Sequence, residues 1–327
     1  MNAPPLGAPM AELPVVVIAD PIDPAAIETL RAGPCRVVDV SAAPDRLHES
    51  LGEAWAVIVR SRTKVTAELI ARAPRLALVA RAGVGLDSVD VAAARARGIE
   101  VVNAPQAATT SVAELTVAFV LLLVRDLLPT VVATRAGRWE RGLHGHELAG
   151  RTVGFVGYGR IGREVAARLR PFGVRTLAYD PFVPSTPDGT PLVSLERLLE
   201  ESDVVSVHAA LTPENRHLLD ARAFGRMRRG AYLVNVARGA LVDEGALLEA
   251  LRSGRLAGAA LDVFESEPPT RRELLEDPRV VPTPHLGAST EEAQRRAGAD
   301  VVAEVLRLLA RPRGAPAAPP ARVAEAR

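Results

Sequence analysis

Short apolar runs alternate with segments of helical periodicity along most of the chain. Such runs, when turn signals bound them, are typical of strands buried on both faces of a parallel sheet. In the first third of the chain they predict strands at 14–19, 36–40, 54–59, 76–80 and 99–102. Helical patterns lie between these strands, so this part of the chain is predicted to form an α/β domain with a parallel sheet.

The same alternation returns in the second half of the chain. The predicted strands are 153–156, 174–179, 204–207, 231–236, 258–261 and 280–282, and predicted helices include 195–201, 244–253 and 291–309. Between the two halves, an apolar stretch predicts a long helix over 111–138 that is interrupted or kinked near Pro129. The predicted fold class is therefore α/β, with two doubly wound parallel-sheet domains.

A glycine-rich turn, GYGRIG at 157–162, follows the first strand of the second half and opens a helix. Gly157 permits the tight turn, Gly159 lets the backbone approach a pyrophosphate, and Gly162 allows the helix to pack closely on the strand. Asp180 ends the next strand, where a carboxylate would bind ribose hydroxyls and repel a 2′-phosphate. The arrangement predicts a site for NAD rather than NADP; the alternative is an ordinary glycine-rich turn without a ligand.

Three later strands each run into charged side chains. Arg238 follows the strand at 231–236, acidic side chains follow the next strand, and His285 follows the last one. Because ligands of open parallel sheets bind beyond the carboxyl ends of the strands, we expect these side chains to share one site. An arginine can hold a carboxylate, and a histidine beside a carboxylate can take a proton from an alcohol. With NAD, the set would oxidise a hydroxy acid; taken singly, each residue could equally be a surface or capping side chain.

The composition narrows the classes of function. A net charge of +1 and a hydrophobic fraction of 48% give no electrostatic case for binding nucleic acid or an anionic membrane. Lys64 is the only lysine, so single arginines are weak functional signals. Cys35 is the only cysteine, which predicts no internal disulfide and a reducing, cytoplasmic location. His144 and His146 have no clustered cysteines or carboxylates beside them, so no metal site is expected.

Four motifs together resemble the D-isomer-specific 2-hydroxyacid dehydrogenase family: GYGRIGREVA, VNVARGALVDEGALLEAL, GAALDVFESEPP and TPHLGAST. The resemblance extends over about 15–309. It implies an NAD-dependent oxidoreductase with a Rossmann NAD-binding domain at 104–288. A flavodoxin-like substrate domain would be discontinuous, made of 1–103 and 289–327. The resemblance also implies a homodimer with the helix at 111–138 in its interface.

The resemblance implies a role for each residue of these motifs. Arg238 would bind the substrate carboxylate and carbonyl, His285 would be the acid/base, and Glu267 would be the charge partner of His285. Asp262 would contact the nicotinamide carboxamide. The cofactor-binding residues would be Gly157, Gly159, Arg160, Ile161, Gly162, Asp180, Ala237, Asp262 and Gly287. The substrate-binding residues would be Arg60, Ser61, Arg62, Val84 and Gly85.

Within the family, the sequence is most similar to the members that act on 3-phosphoglycerate in serine biosynthesis. Arg60 and Arg62 would suit a phosphate dianion, although in so arginine-rich a chain they could also belong to a solvated loop. Ala108 departs from the pattern, because those members usually have an asparagine there, close to the substrate. The open alternatives are a hydroxypyruvate, glyoxylate or other D-2-hydroxyacid dehydrogenase, a phosphite dehydrogenase, and an NAD(H)-sensing, corepressor-like binding protein.

Overall fold

The computed structural model describes residues 12–139, 141–142 and 144–311. Its strands are Val15–Ile18 (β1), Arg36–Asp39 (β2), Ala54–Val59 (β3), Leu78–Arg81 (β4), Glu100–Asn103 (β5), Thr152–Val156 (β6), Arg175–Tyr179 (β7), Val204–Val207 (β8), Ala231–Asn235 (β9), Leu256–Leu261 (β10) and Val280–Pro282 (β11). Its α-helices are Pro24–Arg31 (α1), Leu47–Ser50 (α2), Ala67–Ala71 (α3), Val91–Ala96 (α4), Thr109–Val124 (α5), Leu127–Arg135 (α6), Arg160–Leu169 (α7), Leu195–Glu201 (α8), Ala221–Arg226 (α9), Glu244–Arg252 (α10), Arg272–Leu275 (α11) and Glu291–Leu309 (α12).

The described residues form two compact units, 12–107 with 294–311 and 108–293. Each unit contains one sheet, and every strand pair in both sheets is parallel. The predicted fold class, two parallel-sheet α/β domains, is confirmed. The division of substrate and cofactor roles between two domains, with boundaries at 103 and 289, stays a prediction.

The sheet of the first unit has the strand order β2-β1-β3-β4-β5, the doubly wound order of flavodoxin-like folds. Successive residues of β1 point to opposite faces. Val15 and Val17 belong to one buried cluster, whereas Val16 and Ile18 belong to the other. The second cluster is completed by the last helix, α12, through residues that include Val301 and Val305. Because helices cover both faces, the strands of this sheet have nearly continuous apolar sequences.

The sheet of the second unit has the order β11-β10-β9-β8-β6-β7. Leu192 makes an isolated parallel bridge to Ala178 of β7 and so adds a rudimentary strand at that edge. Counted from β6, the order including this bridge is 3-2-1-4-5-6-7, which contains the Rossmann arrangement. The chain order reverses between β6 and β8, and this switch point is where such sheets bind their ligands.

Side-chain caps explain where many helices begin. The residue before the helix accepts a hydrogen bond from a backbone N–H of the first turn, which would otherwise lack a partner inside the helix. These caps are Asp23 at α1, Thr66 at α3, Asp90 at α4, Ser194 at α8, Asp220 at α9 and Asp243 at α10.

The apolar stretch predicted as one kinked helix forms two helices, α5 and α6, which are bent by 71°. The break lies at Asp126, whose φ of 52° is left-handed and ends the regular helical path. The interruption expected near Pro129 therefore occurs three residues earlier, at Asp126, and Pro129 itself lies in the first turn of α6, where no backbone N–H is needed. Among the described residues, no single helix is long and apolar enough to cross a membrane; only the bent α5–α6 pair, taken together, meets that length and composition.

Candidate active site

The glycine-rich turn lies at the switch point of the second unit's sheet. Gly157 has a φ of +91°, and a Cβ there would lie 2.5 Å from the backbone nitrogen of Ala209, which follows β8. A Cβ on Gly162 would lie 2.6 Å from the carbonyl oxygen of Gly157. Both glycines are therefore required by close backbone approach, and Gly159 precedes the first turn of α7. The N-terminal turn of a helix favours an anion, as a bound pyrophosphate requires.

Asp180 is held at the end of β7 by two backbone donors. The N–H of Tyr158 donates to Oδ2 over 2.8 Å, and the N–H of Phe182 donates to Oδ1 over 2.9 Å. A cavity of about 200 Å³ opens beside this carboxylate, lined by Gly157, Gly159, Asp180, Phe182 and His208 among others. Each carboxylate oxygen can accept a further hydrogen bond, so Asp180 fits the ribose hydroxyls of a dinucleotide.

His208, at the end of β8, is a feature of this cavity that the sequence did not reveal. Its Nε2 is 2.8 Å from the hydroxyl of Ser206, and its Nδ1 is buried with no hydrogen-bond partner among the described residues. Burial lowers the pKa of His208 to about 3, so the imidazole is neutral at physiological pH. The only sequence signal was a polar residue directly after a buried strand.

Arg238 follows β9 in a tightly fixed turn. The side chain of Asn235, buried at the end of β9, donates to the carbonyl of Arg238 over 3.0 Å and accepts the N–H of Ala237 over 3.1 Å. A Cβ on Gly239 would lie 1.8 Å from the carbonyl carbon of Phe264. The segment that bears Arg238 therefore packs directly on the segment that bears Glu267, and only glycine fits at that contact.

Glu267 and His285 contact each other. Nδ1 of His285 is 2.9 Å from Oε2 of Glu267, and the other carboxylate oxygen accepts the N–H of Phe264 over 3.2 Å. When Nδ1 is protonated and donates a hydrogen bond to the carboxylate, Nε2 of the neutral imidazole has a free lone pair. His285 is 50% and Glu267 41% exposed, so both side chains are accessible to a small molecule. This is the arrangement of a general base that a carboxylate orients.

Asp262 lies beneath this pair and is 1% exposed. Its Oδ1 accepts the hydroxyl of Thr283 and the N–H of Leu286, each over 2.6 Å, and its Oδ2 accepts the N–H of Gly287 over 2.8 Å. The donors flank His285, whose own φ of 55° is left-handed. The carboxylate thus stabilises an unfavourable backbone conformation that presents the imidazole. Its remaining capacity as an acceptor is compatible with the predicted contact to a carboxamide.

In the first unit, the predicted substrate residues also lie at the carboxyl edge of the sheet. Arg62 donates from Nε to Asp20 over 3.2 Å, and from one terminal nitrogen to the carbonyls of Ala19 and Ser41 over 2.7 and 2.8 Å. Within the part of the chain that the structure describes, the Arg60 guanidinium has no hydrogen-bond or ion-pair partner. Of the two arginines, Arg62 is therefore the one whose charge is already compensated by described residues.

A second loop of the first unit lies against this arginine segment. Nε of Arg81 donates to the carbonyl of Arg60 over 3.2 Å, which joins the ends of β3 and β4. Asn103 donates to the carbonyl of Val84 over 2.6 Å and fixes the loop that contains Val84 and Gly85. Ser61 is exposed, whereas Val84 and Gly85 are half-buried. The structure thus brings the predicted substrate-binding residues of this unit together.

The fold and these groups are typical of an α/β oxidoreductase unit with a dinucleotide site at the switch point of its sheet. The model of the D-isomer specific 2-hydroxyacid dehydrogenase NAD-binding domain matches residues 117–287. The chain is 42% identical over 299 residues to a hydroxypyruvate reductase of Thermotoga maritima, covering 90% of this chain and 98% of that protein. It is 48% identical over 303 residues to a D-3-phosphoglycerate dehydrogenase of Mycobacterium leprae, covering 91% of this chain but only 57% of that protein. Among solved structures, the TT0316 protein of Thermus thermophilus matches with a TM-score of 0.82 and 38% identity, over 90% of this chain and 96% of that one.

The chain belongs to the D-isomer specific 2-hydroxyacid dehydrogenase family. The predicted family, its NAD-dependent dehydrogenase class and the NAD cofactor are thereby confirmed. The relatives carry names for two different substrates, so the family match does not select between them. The roles of the individual site residues stay predictions.

Proposed function

We propose that the chain transfers a hydride between NAD and C2 of a small D-2-hydroxy acid, with His285 as the acid/base. The observation that carries the proposal is the 2.9 Å contact between Nδ1 of His285 and Oε2 of Glu267. It leaves Nε2 to accept the proton of the C2 hydroxyl during oxidation and to return it during reduction. As the imidazole becomes charged, the Glu267 carboxylate stabilises it.

The other residues of the second unit bind and orient. Arg238 would hold the substrate carboxylate, since a guanidinium can make two parallel hydrogen bonds to it. Gly157, Gly159 and Asp180 would hold the pyrophosphate and ribose of NAD, whose nicotinamide would accept the hydride. Asp262 keeps the His285 segment in position through its three hydrogen bonds. During oxidation the proton thus leaves the C2 hydroxyl for His285, and the hydride leaves C2 for the cofactor.

For the substrate, we propose 3-phosphoglycerate and its keto form, 3-phosphohydroxypyruvate, which would place the chain in serine biosynthesis. Two observations support this choice. Relatives named D-3-phosphoglycerate dehydrogenase reach 48% identity. Arg60 also lies at the carboxyl edge of the first unit's sheet with a guanidinium that no described residue pairs, which suits a phosphate dianion.

Hydroxypyruvate is the second candidate, and specific observations favour it. Arg62, the other predicted phosphate ligand, is bonded to Asp20 and to two backbone carbonyls. Ala108 is 3% exposed and has no polar group to offer a substrate. The chain also covers 98% of the relative named hydroxypyruvate reductase, against 57% of the M. leprae relative.

The deciding experiment is NADH oxidation with 3-phosphohydroxypyruvate, hydroxypyruvate, glyoxylate, pyruvate and phenylpyruvate, compared by kcat/KM. A preference of at least about tenfold for the phosphorylated acid, lost in Arg60→Gln, would support the first candidate. An equal or higher value for hydroxypyruvate would support the second. NADH binding without turnover of any of the acids would contradict the proposed catalysis and favour a sensing role.

We also propose that the chain is a cytoplasmic homodimer that uses α6. Leu127, Val131 and Val132 on this helix are exposed apolar side chains, which a second copy would bury. The single cysteine, Cys35, suits a reducing compartment. Sedimentation of the wild-type chain and of Val131→Asp tests the interface: the substitution should yield monomers, and an unchanged mass would contradict the assignment.

A further inference from the structure

Tyr158, at the variable position between the first two fingerprint glycines, contacts both ends of one loop. Its backbone N–H donates to Oδ2 of Asp180 over 2.8 Å. Its hydroxyl, buried with the rest of the side chain, donates to Oδ2 of Asp188 over 2.7 Å and lies 2.8 Å from the hydroxyl of Thr190. One residue therefore fixes the beginning and the end of the segment 180–190.

The far end of this segment has further support. Asp188 also accepts a hydrogen bond from Arg170 over 2.9 Å and one from the hydroxyl of Thr190 over 3.0 Å. The hydroxyl of Thr186 donates to the carbonyl of Thr190 over 2.6 Å and closes the turn. Asp188 thus receives donors from the fingerprint, from the end of α7 and from its own loop.

Between the two fixed ends, the segment forms one wall of the dinucleotide cavity. Asp180, Phe182 and Val183 all line that cavity. Phe182 is 76% exposed, so little contact within the unit holds its ring. The position of this wall therefore depends on how its ends are held.

The bond between Tyr158 and Asp188 keeps its donor and acceptor over the whole physiological pH range. Burial, helped by the hydrogen bond to Asp188 and its charge, outweighs the hydrogen bond with Thr190 and raises the pKa of Tyr158 to about 12, so the hydroxyl remains a donor. Burial would raise the pKa of Asp188, but hydrogen bonds from Tyr158 and Thr190 outweigh it and lower that pKa. The bond is therefore charge-assisted and stronger than a neutral one.

We propose that Tyr158 is a positioning residue for the adenosine half of NAD. It clamps both ends of the segment 180–190 and so fixes Asp180 and the wall that bears Phe182. This inference rests on the proposed use of the cavity by NAD. The glycine fingerprint specifies no side chain at this position, and the inference gives the Tyr158 side chain a function there.

Tyr158→Phe isolates the hydroxyl. The ring packs against Phe155 with centroids 5.7 Å apart, and phenylalanine preserves that packing. Tyr232→Phe is the matched control, because Tyr232 is also a buried tyrosine of the second unit but lies on β9, which β8 and β6 separate from β7. Asp188→Ala removes the same bond from its other side.

The experiment measures dissociation constants by calorimetry for ADP-ribose, NADH and reduced nicotinamide mononucleotide. Tyr158→Phe should weaken the binding of ADP-ribose and NADH about tenfold and leave that of the mononucleotide unchanged, since one charge-assisted hydrogen bond is lost. Asp188→Ala should weaken the same two ligands at least as much, because it also loses the hydrogen bonds from Arg170 and Thr190. The double variant should bind no more weakly than Asp188→Ala, because the Tyr158 bond is already absent from that variant. Tyr232→Phe should bind all three ligands as the wild type does.

Three outcomes would overturn the inference. Unchanged binding of ADP-ribose by Tyr158→Phe would show that the hydroxyl does not position the wall. Equal weakening of the mononucleotide would indicate general damage to the unit instead. If the wild-type chain itself bound no ADP-ribose, the proposed cofactor site would fail first and the clamp with it.

Discussion

Two buried aspartates occupy comparable places in the two units and do different work. Asp20 is separated from the end of β1 only by Ala19, and Asp262 directly follows β10. Each is 1% exposed, and each lies at the carboxyl edge of a parallel sheet. A buried carboxylate is tolerated only when hydrogen bonds compensate for its lost solvation, so each aspartate gathers donors from neighbouring loops.

The donors differ between the two sites. Asp262 accepts hydrogen bonds from uncharged groups of the segment that bears His285. Asp20 accepts the N–H groups of Arg60 and Thr63, the hydroxyl of Thr63 and the guanidinium of Arg62. The first carboxylate holds a loop and leaves its functional group accessible, whereas the second also binds a cation that the sequence predicts to be functional. In similar positions of the fold, Asp262 thus supports a proposed catalytic group, whereas Asp20 neutralises the charge of a proposed substrate ligand.

The largest effect is expected at the group that Asp262 supports. His285→Ala removes the proposed proton acceptor and should lower kcat by about 10²–10⁴-fold, the usual contribution of general acid–base catalysis. The dissociation constant of NADH should stay within about twofold, since no fingerprint contact changes. Stopped-flow turnover and fluorescence titration measure the two quantities. His48→Ala, an exposed histidine of the first unit, is the control, and turnover of His285→Ala at the control's level would refute the assignment.

Asp262→Asn tests whether the carboxylate positions His285. An amide has one acceptor oxygen, so its NH₂ group would face either Gly287 or the two donors to Oδ1. We expect kcat to fall about 10–100-fold, corresponding to the roughly 1–3 kcal/mol that an unsatisfied buried donor costs. Asp277→Asn is the matched control, because Asp277 is also well buried but precedes β11, at its other end. Equal loss in both variants would indicate a general effect on the strand.

Sequence patterns predicted the strands well because most of these strands are largely buried and have apolar sequences. The predicted limits of β3, β8 and β11 agree with the structure to the residue. The short helix α9 was missed: Gly225 weakens its helical pattern, and its one clear signal is the N-cap Asp220. Local propensity therefore sufficed wherever an apolar run was continuous, and was insufficient where a short surface helix depends on its cap.

The sequence could predict which residues form the candidate site, but not which groups hold them in place. Sequence places Arg238, Glu267 and His285 after neighbouring strands, but it cannot show that Asp262 accepts hydrogen bonds from residues 21 to 25 positions further along the chain. Nor can it show that Arg62 is bound by a carboxylate 42 residues earlier. Both facts depend on which loops the sheet order brings together, and this information is absent from local composition.

The variants Arg60→Gln and Arg62→Gln test whether the contacts of Arg62 with Asp20 and two carbonyls give the two arginines different roles. Arg60→Gln should reduce kcat/KM for 3-phosphohydroxypyruvate about tenfold and leave that for hydroxypyruvate unchanged, since only the former needs a cation for its phosphate. Arg62→Gln should instead lower the free energy of unfolding by about 1 kcal/mol, because Asp20 keeps its other donors. Kinetics and urea denaturation measure the two effects. If only Arg62→Gln removed the preference for the phosphorylated acid, the prediction would be wrong, and Arg62 would bind the substrate phosphate despite its contacts within the protein.

The smallest expected effect is the pH dependence that Asp20 gives to stability. Burial would raise the pKa of Asp20, but hydrogen bonds from Thr63 and Arg60 and the charge of Arg62 outweigh it and lower that pKa below 3.8. A lowered folded-state pKa stabilises the fold above the unfolded value, and this stabilisation is lost as the pH falls through the folded value. The wild type should therefore have a higher free energy of unfolding than Asp20→Asn at pH 7, and the difference should shrink below about pH 4. Urea denaturation across this range measures it. If the difference in the free energy of unfolding stayed constant down to about pH 3, the amide's shape would account for the destabilisation of Asp20→Asn. The charge of Asp20 would then not contribute to stability, and the contrast with Asp262 would not rest on it.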